Sequence, residues 1–88
     1  MKTKQIILTI AGNELTFNVT TLAYNSYVNE ITQQNKIAPS IQFVNRTVNK
    51  DDSEKLKTLL NDYPGAALQI AGKLIEDFAP DLEITIKN

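Results

Sequence analysis

The stretch that most constrains this chain is residues 5–19, where apolar side chains recur at every second position on both sides of Gly12-Asn13. Ile6, Leu8 and Ile10 fall on one face of an extended strand, and Leu15, Phe17 and Val19 do the same after the break. Gly and Asn tolerate the positive φ that tight hairpin turns demand, so the pattern predicts an antiparallel hairpin with one apolar face.

After residue 20 the period changes from two to the helical one. Thr20 or Thr21 is a suitable cap, and Tyr24, Tyr27, Val28 and Ile31 stand at i, i+3, i+4 and i+7, which predicts an amphipathic helix over about residues 22–34. The same spacing makes core packing the favoured role of Tyr24 and Tyr27, ahead of an aromatic binding surface. Pro39 suits the first turn of a short second helix carrying Ile41, Val44 and Val48, although Phe43 breaks that face and a bent extended segment also fits. Asp51 and Asp52 precede a third helix, with Leu56, Leu59, Leu60 and Tyr63 on one side.

Pro64-Gly65 separates this from a fourth helix with Leu68, Ala71, Leu74, Ile75 and Phe78 inward. With Ala66, Ala67 and Ile70 added, its apolar arc covers roughly 200°, wider than a one-sided stripe needs. Such a helix is either buried between layers or offers spare surface. Finally Leu82, Ile84 and Ile86 alternate with Glu83, Thr85 and Lys87 beyond Pro80, which predicts a half-buried third strand. The expected class is α+β: a three-stranded sheet made of the N-terminal hairpin plus the C-terminal strand, one face covered by three to four helices, in the order β-β-α-α-α-α-β. The 88 residues suffice for one hydrophobic core and one domain.

Composition narrows the function. The chain has no histidine and no cysteine, which removes Ser-His and Cys-His catalysis, thiolate and imidazole metal sites, and disulfides together. Asp51, Asp52 and Glu54 lack the ligand spacing and central glycine of a calcium loop, so helix capping is their simpler role. Glu76, Asp77, Asp81 and Glu83 read as a solvated face, and Lys73 as a hydrated ammonium. No catalytic, metal or cofactor residue is expected. A formal net charge of −1 with scattered lysines provides no basic stripe for nucleic acid. Without a signal-peptide pattern or a long apolar run, a cytoplasmic protein that binds another macromolecule is the expectation. A sheet-edge adaptor or inhibitor is one such protein, because a three-stranded sheet leaves free edges.

Read together, Ala38-Pro39, Phe43-Val44-Asn45-Arg46-Thr47-Val48, Leu59-Leu60, Pro64-Gly65, Leu68-Gln69-Ile70-Ala71 and the closing run from Phe78-Ala79-Pro80-Asp81 to Ile86-Lys87 resemble the phage tail assembly chaperones. The resemblance implies a binding function without catalysis in the host cytoplasm. It further implies the tape-measure protein and the major tail protein of the tube as partners, and absence from the finished virion. Arg46 and Gln69 lie within the matching runs, and with Tyr24 and Phe78 they are the expected partner-binding residues. Pro64 and Gly65, also matched, are expected to shape the fold.

Overall fold

The computed structural model describes residues 1–87. Strands β1 (Thr3–Ile10) and β2 (Asn13–Thr20) form the hairpin, followed by helices α1 (Thr21–Glu30), α2 (Ile37–Thr47), α3 (Ser53–Asp62) and α4 (Ala66–Phe78), with a 3-10 turn at Lys50–Asp52 before α3. The hairpin turn falls one residue earlier than expected. Ala11 and Gly12 are its two central residues, both with positive φ (50° and 83°), and Asn13 opens β2 while its side chain donates to the Ala11 carbonyl. Ile6, Leu15, Phe17 and Val19 are buried on the inner face, as their alternation requires.

Thr20 caps α1, its hydroxyl accepting from the Ala23 amide at 3.1 Å. The helix stops at Glu30, short of the expected residue 34. Beyond it Thr32 and Asn35 bond to each other, the Thr32 hydroxyl accepting from the Asn35 amide at 2.9 Å, and this local turn replaces the next helical one. Tyr27 is buried, as its spacing indicates, and Tyr24 is half-buried.

In α2 the expected face is corrected. Phe43 is 1% exposed and belongs to the core, whereas Ile41 faces outward. The buried face is Ser40, Phe43, Val44 and Thr47, a regular i, i+3, i+4, i+7 stripe whose two ends are hydroxyl residues. Their polarity disguised the stripe. Burial is tolerated because each hydroxyl is bonded: Ser40 donates to the Lys36 carbonyl at 2.7 Å and meets the Tyr27 hydroxyl, and Thr47 donates to the Phe43 carbonyl at 2.9 Å.

Helix α4 buries Ala66, Ala67, Ile70, Ala71, Leu74 and Phe78 against the hairpin and α2, so most of its wide apolar arc is used internally. Leu68, expected inward, lies at the margin and is exposed. Gly65 enters the helix with φ 80°, a left-handed conformation that a side chain disfavours.

The fold is α+β, but among the described residues the sheet has two strands. The expected third strand is not formed. Residues 79–87 carry no regular structure, and Leu82, Ile84 and Ile86 are 77–86% exposed. The alternation survives in them without a neighbour: the chain leaves α4 through Ala79 and Pro80, and Lys2 and Lys4 tie that end of the helix to the start of β1.

Candidate partner-binding surface

Of the four expected partner-binding residues, the structure brings two together and separates the others. The Tyr24 and Phe78 rings stand 5.9 Å apart at 42°, and the Lys2 ammonium lies 4.8 Å over the Phe78 ring while donating to its carbonyl at 2.7 Å. Phe78 is buried there, so this pair serves first to lock α1, α4 and the N-terminus together. Arg46 and Gln69 are exposed, in two different places.

Arg46 sits in the last turn of α2, where its charge suits the negative end of the helix, and borders a shallow depression with Asn18, Leu22 and Ser26. Among the described residues it forms no ion pair, which leaves its planar fork available to a carboxylate.

Gln69 lines a groove of about 260 Å³ at the opposite end of the domain. Ile10 and Ala11 of the hairpin tip form one wall, Tyr63 and Pro64 of the bend between α3 and α4 another, and Ile70 lies with Gln69 along α4. The local chemistry explains its shape. Pro64-Gly65 turns the chain sharply, the Ala66 amide donating back to the Tyr63 carbonyl at 3.1 Å, and this swings the Tyr63 ring out to 52% exposure. The result is an apolar slot with one amide side chain at its rim, suited to an apolar side chain whose backbone or polar neighbour bonds Gln69. Ile10 and Tyr63 went unsingled in the sequence, where they read as core positions; only their places beside a turn and a Pro-Gly bend signalled a domain end.

Among the described residues no three or more of Asp and Glu cluster as a metal site, and no helix is long and apolar enough to cross a membrane. Asp52 turns away from the expected capping role: its carboxylate accepts from the Thr16 amide of β2 at 2.8 Å and pairs with Lys55 at 3.6 Å.

The described residues thus form a small α+β fold with a buried core and an apolar slot beside the hairpin tip, and comparison with known proteins gives its family. The chain belongs to the phage tail assembly chaperone family, whose pattern it matches over residues 6–88. It is also 32% identical over 83 residues to an 11.3 kDa protein encoded in the lys 3′ region of Haemophilus phage HP1 (strain HP1c1), a match covering 94% of this chain and 80% of that protein. No solved structure matches it significantly.

Proposed function

We propose that this protein binds the tape-measure protein or the tail-tube subunit of its phage during tail assembly in the host cytoplasm, holding an apolar stripe of the client in the groove beside Gln69, without catalysis or cofactor. Family membership across residues 6–88 carries the reading, and the exposed Tyr63 beside an apolar slot supplies a physical means. A long helical client exposes apolar side chains before it is packed into a tail. A domain that binds only the dispersed form shifts the balance away from aggregation by mass action. The slot takes one anchoring side chain, and Arg46 at the other end is available to a client carboxylate.

The test is co-expression with the tape-measure-like protein encoded nearby, followed by pull-down and measurement of client solubility against a control lacking this chain. A complex that keeps the client soluble, weakened by Tyr63→Ser and Gln69→Ala but not by the remote Lys57→Ala, supports the reading. Circular dichroism confirms that each variant folds. Absence of a complex with either tail protein overturns it.

A further inference from the structure

We propose that the groove beside Gln69 is one half of a two-part site, whose other half takes a lysine or arginine side chain from the same client segment. The inference rests on the client-binding reading above and adds a charge requirement to it. Tyr63 borders both halves. The first is the uncharged slot of Ile10, Pro64 and Gln69; the second is a depression of about 240 Å³ lined by Asn13 at the start of β2 and by Lys55, Thr58 and Asp62 of α3. A half-exposed aromatic ring is thus shared by an apolar pocket and a polar one at the same end of the domain.

The sign of the second half follows from how α3 ends. The carbonyls of a helix's last turn carry partial negative charge out of its C-terminus, so cations are favoured there and carboxylates are not. Helix α2 has Arg46 in its last turn, and the end of α4 is met by Lys2 and Lys4, whose ammonium groups reach the Phe78 and Asp77 carbonyls. Helix α3 has no basic residue in its last turn and finishes on Asp62. The chain that follows gives little relief, because Pro64 has no N–H to return to the Leu60 carbonyl. Among the described residues Asp62 forms no ion pair. Lys55, the cation on the same rim, is engaged elsewhere, 3.6 Å from Asp52 and 3.5 Å from the Glu14 carbonyl. Helix α1 also ends in an unpaired acid, Glu30, but that residue does not line the depression beside Tyr63. Asp62 therefore costs the folded chain a little and returns nothing within it; a partner's ammonium or guanidinium supplies the missing cation.

The two halves suit one segment. Side chains three or four apart on a helix have Cβ atoms about 5–6 Å apart, so an apolar residue and a basic one at that spacing can straddle the Tyr63 ring. The long apolar stem of lysine or arginine lies along the ring while its head reaches Asp62. Asn13 and Thr58 offer side-chain oxygens to the same head group. An acid at that position of the client meets Asp62 and is rejected.

Alanine-rich helical peptides test this against the full chain: one with leucine and arginine four residues apart, made in both orders, and its counterpart with citrulline, the uncharged isostere, in place of arginine. Binding is read from amide shifts of the isotope-labelled protein at low salt. The expected result is shifts at Asp62, Tyr63 and Gln69, with the arginine peptide binding about two- to fivefold more tightly, the range of one exposed ion pair. The preference should shrink as salt is added. Asp62→Asn should abolish it while melting no lower than the parent, because removing the acid relieves the helix end. Tyr63→Ser should weaken both peptides alike. Equal binding of the two peptides, binding of neither, shifts confined to other surfaces, or a preference that survives Asp62→Asn overturns the proposal. The pull-down above separates this from the wider reading: a client held as firmly by Asp62→Lys as by the parent removes the charge requirement alone, whereas no client complex removes the client.

Discussion

The hairpin and the C-terminal segment carry the same signal and meet opposite fates. Leu15, Phe17 and Val19 alternate and are fully buried; Leu82, Ile84 and Ile86 alternate just as regularly and stand in solvent. A period of two says which side chains share a face. It does not say that a neighbour will be there. In the hairpin a two-residue turn brings the partner strand at small entropic cost, and the helices that follow cover the face it creates. The C-terminal segment has no such turn, and the clamp of Lys2 and Lys4 on the end of α4 sets its starting point at the wrong end of β1 for an antiparallel return.

That contrast breaks most readily by truncating one residue from each region. Phe17→Ala removes a fully buried ring and should cost about 3–5 kcal/mol in chemical denaturation, whereas Ile84→Ala should change monomer stability by less than about 0.5 kcal/mol. Comparable losses at the two positions would show that the segment packs within its own chain. The next largest effect concerns how the hairpin is held. Asp52→Ala leaves the Thr16 amide without its acceptor and should cost about 1–3 kcal/mol, with faster exchange at that amide as the local readout.

Two glycines sharpen the comparison at a smaller scale, because they separate backbone need from packing. Gly65→Ala places a side chain at φ 80° and should destabilise by about 1–2 kcal/mol in thermal melting. Gly72→Ala sits mid-helix with nothing within 4 Å of an added Cβ, so it should stabilise by about 0.5–1 kcal/mol. A loss at Gly72 would mean that another molecule approaches that face of α4.

The legible parts of the fold were those specified within one or two turns of chain. The hairpin, the Thr20 cap, the burial of Tyr27 and the break at Pro64-Gly65 each rest on neighbours a few residues away. Phe43 was misplaced because its face begins and ends in Ser40 and Thr47, whose burial depends on hydrogen bonds to Lys36 and Phe43 carbonyls that no hydropathy pattern displays. The groove beside Gln69 was not legible as a surface. Gln69 and Pro64 do lie side by side, but their groove needs Ile10 and Tyr63, which come from elements far apart in the chain. Arg46 proved to be at a different end, a separation that only the tertiary arrangement determines.

The contacts that Asp52 and Asn49 make with Thr16 seal one side of the sheet, and this governs the arithmetic of self-association as well as stability. A sheet sticky on both sides can propagate without limit, each added strand offering a fresh template to the next. With one side closed, the sheet has a single open edge, so any added strand would end the ladder at the next neighbour.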